Sequence, residues 1–231
     1  MVAMADSVPT QDQGEIAYRA IREGIGRGRF RPGQRLIETA IAEEEGISRT
    51  PVRQALRRLE RDGVVVIEKR RGARVRDLSP RHISDLYELR ARLEAFACEL
   101  AARRAGSAEH EDLRRIAAAF EVAALRDAAG DDFARVRAAN AALHRKIADA
   151  AGNPFVGIAL EATIENPLVL RAYRGFSDEE LSRSTLFHHL IVEAVCAGSA
   201  DRAGRLMAEH VLQARDVLVA AAEAERLAES A

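Results

Sequence analysis

Apolar residues recur three and four positions apart in residues 46–63, which is the spacing of one face of an α-helix. The positions on this face are Val52, Ala55, Leu56 and Leu59. Ser48 precedes them as a helix N-cap, and Pro51 in the first turn removes a backbone donor that a helix leaves unused. Gly63 follows, and glycine readily adopts the left-handed conformation in which helices end. The stretch therefore predicts a turn, a capped helix and a helix stop.

The opposite face of this helix is basic. Arg49, Thr50 and Arg53 fall on it within the first turn and a half, and Arg57 follows. A helix that presents Arg and Thr near its N-terminus can enter the major groove of DNA. There Arg pairs with guanine and Thr contacts a phosphate or a methyl group. A basic helix face that is merely solvated would show the same pattern.

The flanking segments favour the DNA-binding interpretation. Residues 38–45 predict a short helix, and three residues separate it from the next helix, which is helix-turn-helix spacing. Residues 15–27 predict an earlier helix with its apolar positions on one side. Downstream, residues 64–67 predict a strand, and a basic turn around Gly72 leads into a second strand. The sequence thus predicts a small β-hairpin wing after the helices.

The chain beyond residue 77 shows helical periodicity without a strand pattern. Polar helix starts follow glycine-containing stops, and the capping signals are Ser79-Pro80 and the pair Ser177 and Glu180. The six helical stretches are about 80–105, 108–129, 131–151, 154–174, 178–197 and 200–228. We therefore predict a mainly α chain with a flexible tail over 1–14 and a winged helix-turn-helix domain over 15–77. An antiparallel bundle of about six helices would follow over 78–231.

Charge is unevenly distributed along a chain whose net charge is only −1. Residues 15–77 carry 16 Lys and Arg against 10 Asp and Glu, whereas residues 78–231 carry 19 against 24. A basic N-terminal part on an acidic remainder is typical of a DNA-binding module joined to a module of another kind. Cys98 and Cys196 lie in apolar helical contexts and are expected to be buried, reduced thiols. No run is long enough to span a membrane and no secretory signal is evident, so a cytoplasmic protein is expected.

Three of the six histidines fall on the inward faces of three different helical stretches. These are His144, His188 and His210, and Asn140 lies one turn before the first of them. A single inward histidine is usually a hydrogen-bonded core residue. Several of them without a shared partner would each lose hydration on burial, and a divalent metal ion would resolve that cost. Imidazole ligands favour Zn or Ni. The other three histidines are expected to lie outside this set. We expect His82 and His110 to face solvent, and His189 to point away from the inward face of its helix.

The N-terminal motifs resemble the winged helix of GntR-type transcription regulators. The similarity covers residues 14–77 and rests on the runs 31–38, 47–59 and 71–75. Its central motif is Ser48-Arg49-Thr50-Pro51-Val52-Arg53. The residues that the resemblance places at the DNA are Arg49, Thr50, Arg53, Gly72, Arg71 and Thr39. The last of these stands where some members have an arginine that also contacts DNA.

The helical part resembles the FCD ligand-binding domain that follows the winged helix in the FadR branch of the same family. The similarity covers nearly all of residues 80–228 and rests on the runs 86–90, 93–94, 140–144 and 151–154, with two later histidines. Metal-binding members have an Asp-x-x-x-His motif and two later histidines. The metal ligands that the resemblance implies here are Asn140, His144, His188 and His210. The departure is Asn140, which stands where the family has Asp.

This departure has a physical consequence. Asn140 offers a neutral carbonyl oxygen, so a bound metal ion would keep its full +2 charge, bind more weakly and attract an anionic effector more strongly. The alternative is a site that has lost its metal. In that site the effector contacts the histidines and Asn140 directly. Arg90 matches a family position that lines the effector cavity, and structural pairing of Arg90 with Glu94 is the other interpretation.

The expected function is that of a transcription regulator, with repression as the commoner polarity. A homodimer would place two recognition helices on a palindromic operator in double-stranded DNA. A small carboxylate bound near the metal would shift the population between DNA-competent and DNA-incompetent arrangements. Two alternatives stay open from the residues alone. One is a metal sensor, and the other is a metal-dependent enzyme that acts on carboxylates with Glu94 or Glu193 as a base.

Overall fold

The computed structural model describes residues 10–69, 71–77, 79–127, 133–164 and 176–229. Among these residues two compact units are formed, one on each side of residue 78. Each unit has its own arrangement of helices.

The N-terminal unit is a three-helix fold with a small sheet. Its elements are α1 (Thr10–Gly26), β1 (Arg35–Leu36), α2 (Glu38–Glu44), α3 (Arg49–Arg61), β2 (Val65–Glu68) and β3 (Gly72–Val75). The three strands are antiparallel in the order β1-β3-β2, with Val65 opposite Val75 and Leu36 opposite Ala73. Helices α2 and α3 are separated by four residues, one more than expected because α2 ends at Glu44. The helix-turn-helix followed by a hairpin wing is confirmed.

One apolar core holds this unit together. Helix α1 packs across α3, and the apolar face predicted for α3 is buried. Members of this core that are almost fully inaccessible are Ile21, Ile25, Val52, Leu56, Leu59, Val65 and Val75. Burying each such aliphatic side chain contributes about 1.5–3 kcal/mol relative to leaving it in water. This burial fixes the rotation of α3 and turns the opposite face outward.

Three local features of the N-terminal unit differ from the sequence-based expectation. Helix α1 begins at Thr10, within the segment expected to be a flexible tail. Ser48 occupies the N-cap position of α3 in an extended conformation, but its side chain makes no capping hydrogen bond. Strand β1 was not predicted, because two residues are too short to show an alternating pattern. Gly63, which follows the C-cap residue Asp62 of α3, has the expected left-handed conformation, with φ of 73°.

The C-terminal unit is all-α in the part of it that is described. Its helices are α4 (Pro80–Arg104), α5 (Ser107–Asp127), α6 (Phe133–Ala150), α7 (Pro154–Ile164), α8 (Asp178–Cys196) and α9 (Ala200–Glu229). Both predicted caps form: Ser79 accepts a hydrogen bond from the His82 backbone, and Ser177 forms a reciprocal capping box with Glu180. The fourth stretch was expected to run to residue 174, but residues 165–175 lie outside the described part of the chain.

Helix α4 is the central element of this bundle. It packs along α9 and also contacts α6, α7 and α8. Cys98 on α4 is a buried, free thiol as expected, whereas Cys196 at the end of α8 is only partly buried and not fully enclosed as predicted. Because α4 faces four other helices, polar side chains on it can reach residues from several segments. No helix among the described residues has the length and apolar character needed to cross a membrane.

Candidate functional site

The basic face of α3 is exposed in the N-terminal unit. The side chains of Arg49, Thr50 and Arg53 are accessible, while the apolar residues of the same helix lie in the core. This outward orientation follows from the amphipathic pattern alone, since burying one face of a helix exposes the other. Arg49 and Arg53 are one turn apart and therefore emerge side by side.

Glu38 on α2 connects these two arginines. Nη2 of Arg53 donates to Oε2 of Glu38 at 3.0 Å, and Nη2 of Arg49 donates to the same oxygen at 3.4 Å. The hydrogen bond from Arg53 is the main reason why the pKa of the Glu38 carboxyl lies below its ordinary value. The sequence pattern did not predict this contact, because it joins two different helices.

The wing carries the remaining DNA-contact candidates. Gly72 begins β3 with a φ of 82°, a conformation that glycine adopts without the strain a side chain would bring. Arg71, beside it, is exposed, and its Nη1 lies 3.9 Å from Oε2 of Glu68. Thr39 in the first turn of α2 is exposed as well. Each of these residues is accessible within its own element.

The second candidate site is a buried histidine centre in the C-terminal unit. His144 on α6, His188 on α8 and His210 on α9 are all buried, and one nitrogen from each lies within 4.8 Å of the others. Asn140, one turn before His144 on α6, is also buried. The structure therefore brings together the three imidazoles that helical periodicity turned inward.

Two nitrogens of this centre have no hydrogen-bond partner. Nε2 of His188 and Nε2 of His210 face each other at 3.2 Å, but Nε2 of His144 and Nδ1 of His188 are buried and unpaired. Leaving a buried polar atom unsatisfied costs about 1–3 kcal/mol. A divalent cation shared by the imidazoles would remove part of this cost, so the residues present fit a metal ion. Their nitrogen donors suit Zn and Ni among the common divalent ions.

Burial keeps two of these imidazoles neutral. The pKa of His188 lies well below its ordinary value, chiefly because burial disfavours the charged ring. The pKa of His210 falls to about 3 for the same reason, with a further contribution from His144. A neutral imidazole has a free lone pair, which is the form that binds a metal ion.

A buried ion pair on α4 adjoins the centre. Oε1 of Glu94 accepts a hydrogen bond from Nε of Arg90, and Oε2 of Glu94 is bonded to Nδ1 of His144. Burial alone would raise the pKa of Glu94, but the guanidinium group of Arg90 and the contact with His144 lower it to about 2. Arg90 also stacks over the Tyr87 ring, with 5.3 Å between its Cζ and the ring centroid. Arg90 therefore pairs with Glu94, as the alternative to a role in lining the effector cavity expected.

The remaining histidines differ in environment. His82 is exposed and its Nδ1 lies 3.1 Å from the Ser79 hydroxyl. His189 is exposed too, with Nε2 at 3.0 Å from Glu121. His110 was expected to face solvent, but this was wrong: it is partly buried, and its Nε2 is inaccessible and unpaired. Its position near a helix start did not reveal this burial.

A small cleft at the surface of the bundle borders His210 of the histidine centre. It is bordered by His210 and Gln213 on α9 and by Arg183 on α8. Its volume is about 20 Å³, which is room for roughly one water molecule.

Two protein families match the chain. Residues 13–75 match the bacterial regulatory proteins of the gntR family, and residues 85–213 match the FCD domain. The FCD match alone covers more than half of the chain.

Named relatives are also regulators. The Probable D-xylose utilization operon transcriptional repressor of Paenarthrobacter nicotinovorans is 31% identical over 188 residues, which is 81% of this chain and 80% of that protein. The uncharacterized HTH-type transcriptional regulator YdhC of Bacillus subtilis (strain 168) is 37% identical over 83 residues. That match spans 36% of this chain and only 37% of YdhC. Among solved structures, E. coli McbR/YncC has the same fold, with a TM-score of 0.74 at 20% identity over 94% of this chain and 98% of that one.

Proposed function

Because this chain belongs to the GntR family of bacterial transcription regulators and carries an FCD domain, we propose that it is a repressor released from its operator by a small carboxylate. The observation that carries the DNA-binding part is the exposed basic face of α3, whose opposite face is buried in the core. The carboxylate and the repressing polarity go beyond the family assignment.

For operator recognition, Arg49, Thr50 and Arg53 would enter the major groove and read base edges. Gly72 and Arg71 at the wing, with Thr39 on α2, would contact the sugar-phosphate backbone. Backbone contacts position a protein on the duplex, whereas contacts with base edges supply sequence information. A homodimer would present two copies of α3, so the preferred operator would be a palindrome.

For effector recognition, we propose that Asn140, His144, His188 and His210 hold a divalent cation, Zn²⁺ or Ni²⁺. When bound, the cation would supply positive charge for an anionic ligand. Because Asn140 contributes no charge, the carboxylate of an effector would be drawn to the centre more strongly than in a site with an acidic ligand. Arg90 is held by Glu94, so its own role would be to support the centre and not to bind the effector directly.

A metal sensor is the second candidate function. The cleft beside His210 has a volume of only about 20 Å³, so a bare ion reaches the centre with less opening of the bundle than a carboxylate needs. The metal-dependent enzyme is not a candidate, because the family and its relatives are transcription regulators. The two carboxylates considered as bases are also engaged: Glu94 with Arg90 and His144, and Glu193 with Arg202 at 3.3 Å.

The proposal is tested by selecting operator DNA from a random duplex pool with the purified full chain. Enriched palindromes that are released by one of a panel of small carboxylates would support it. Enrichment that depends on Zn²⁺ or Ni²⁺ and is indifferent to every carboxylate would favour the metal sensor. Failure to enrich any sequence at low salt would contradict the DNA-binding function. Sedimentation of the same sample tests the homodimer, and cell fractionation tests the expected cytoplasmic location.

A further inference from the structure

Buried polar side chains in the C-terminal unit lie mainly at the histidine centre and in the ion pair beside it. Those that the described residues contain are Arg90, Glu94, Asn140, His144, Thr163, His188 and His210. The Thr163 hydroxyl donates a hydrogen bond to the Leu160 backbone oxygen one turn earlier, so its polar group has a partner outside the histidine centre. Glu94 is the only acidic side chain in this described set, and it touches the histidine centre through His144. A buried carboxylate is retained at a substantial cost in hydration, which calls for a reason.

The contact between Glu94 and His144 determines where the imidazole carries its proton. An ionised carboxylate only accepts hydrogen bonds, so Nδ1 of His144 must be the donor. Nε2 of the same ring is buried and has no hydrogen-bond partner, so a proton there would be unsatisfied. The geometry therefore selects the neutral tautomer with hydrogen on Nδ1 and a free lone pair on Nε2.

The other oxygen of Glu94 is held on the opposite side. Arg90, one turn earlier on α4, donates to it and is itself stacked over the buried Tyr87 ring. Both oxygens of the carboxylate are thus engaged, one by α4 itself and one by α6. This arrangement fixes the orientation of Glu94 and, through it, the plane of the His144 ring.

We infer that Glu94 is the positioning residue of the histidine centre, which locks His144 into the metal-binding tautomer and supplies from α4 the carboxylate that Asn140 lacks. The inference rests on the proposed metal site and specifies how this chain builds it. A carboxylate behind a histidine ligand orients the ring and makes its free nitrogen more basic, and loss of such a partner typically weakens metal binding by about 10–100-fold. The negative charge of Glu94 would thereby act on the ion through His144 and not by direct contact.

The tautomer is tested on the unsubstituted, metal-free protein by long-range ¹H–¹⁵N NMR of the histidine rings. We expect His144 to show a protonated Nδ1 and an unprotonated Nε2. A spectrum with the proton on Nε2, or with both nitrogens equally populated, would overturn the inference. This measurement needs no variant and cannot be confused with a general loss of stability.

The contribution to metal binding is tested by competition for Zn²⁺ between a chromogenic chelator and the full chain. Glu94→Gln keeps the size of the side chain but removes its charge, and it should weaken Zn²⁺ binding by about 10–100-fold. Glu99→Gln on the same helix, where Glu99 pairs with Arg103 near the surface, is the matched control and should bind as the unsubstituted protein does. Equal affinity of Glu94→Gln and the unsubstituted protein would overturn this inference alone. An unsubstituted protein that binds no Zn²⁺ would overturn the proposed metal site, and this inference with it.

Discussion

Two histidines in the bundle interior are kept neutral by their surroundings. His188 has no exposed surface and His210 has little, and burial lowers the pKa of both. A neutral buried imidazole can bind a metal ion, but it also lowers the stability of the fold at acidic pH, where an exposed imidazole would be protonated. The same property therefore links the proposed metal site to the stability of the fold.

The metal-free protein should lose stability as the pH falls from 6.5 toward about 3, the ordinary and the folded-state pKa of His210. In this window the unfolded chain binds a proton that the folded chain does not, so each such group changes the unfolding free energy by up to about 1.4 kcal/mol per pH unit. Above pH 6.5 the ring is neutral in both the folded and the unfolded chain, so this loss of stability is absent there. Denaturant unfolding across the window, with a chelator present, measures it.

His210→Gln should flatten this pH dependence, because the titrating ring is removed. His82→Gln is the matched control, since His82 is exposed and bonded to Ser79 at the bundle surface. A pH dependence that is the same in His210→Gln and in the unsubstituted protein would contradict the assignment of His210 as a buried neutral group.

Asn140 is a proposed metal ligand that carries no charge. Asn140→Asp would restore a charged ligand on α6, one turn before His144. We expect the variant to retain Zn²⁺ against a chelator at least about 10-fold more strongly, comparable to the effect of a charged outer-shell partner. Metal content after dialysis against graded chelator concentrations measures the change. Identical retention would show that the side chain at position 140 does not face the ion.

On the scale of elements, α3 separates two tasks onto its two faces. Leu56 and Leu59 anchor the helix in the core, while Arg49 and Arg53 emerge beside Glu38 of α2. The carboxylate holds both guanidinium groups on the same side of the helix-turn-helix. It thereby limits their freedom before any DNA is bound.

Arg49→Ala and Arg53→Ala should each weaken operator binding by about 1–3 kcal/mol at fixed salt, because each removes a side chain proposed to read a base edge. Fluorescence anisotropy with the selected operator measures the loss. Thermal unfolding should be unchanged, since both side chains are more than half exposed. Arg61→Ala, at the far end of α3, removes the same charge and should have little effect. A loss in Arg61→Ala as large as in Arg53→Ala would argue for a diffuse electrostatic contribution of the whole helix.

Across the whole molecule, basic and acidic residues are unequally divided between the winged helix-turn-helix segment and the FCD segment. The segment 15–77 has an excess of basic residues, and the segment 78–231 has an excess of acidic ones. Such polarity favours approach of the basic part to DNA and disfavours contact of the acidic part with phosphates. Operator binding should accordingly weaken as salt rises.

Arg71→Ala at the wing should weaken binding to all DNA sequences to a similar extent. Because it would remove one phosphate contact from each copy, the slope of log K against log salt should decrease by about 1 per copy. Titrations of operator and unrelated duplex at several salt concentrations measure the slope. Lys69→Ala, on the neighbouring exposed position of the same turn, reports whether any basic residue of the wing has the same effect. A change confined to the operator would instead place Arg71 at a base edge.

Local pattern was sufficient for much of this fold. The bounds of α3, the hairpin after it, the caps at Ser79 and Ser177 and the all-α character of the second unit followed from spacing and capping signals. These features depend on residues within one or two turns of each other. The start of α1 at Thr10 and the short strand β1 did not follow, because neither has a periodic signature of its own.

The sequence by itself determined which side chains face inward, since helical periodicity is a property of a single segment. It therefore identified His144, His188 and His210 as interior residues. Only the tertiary structure decided that Glu94 meets His144, 50 positions away, and that Glu38 bridges Arg49 and Arg53 from another helix. It also decided that His110 is partly covered. Such contacts depend on how separate helices pack, and no spacing within one helix encodes which partner will lie opposite.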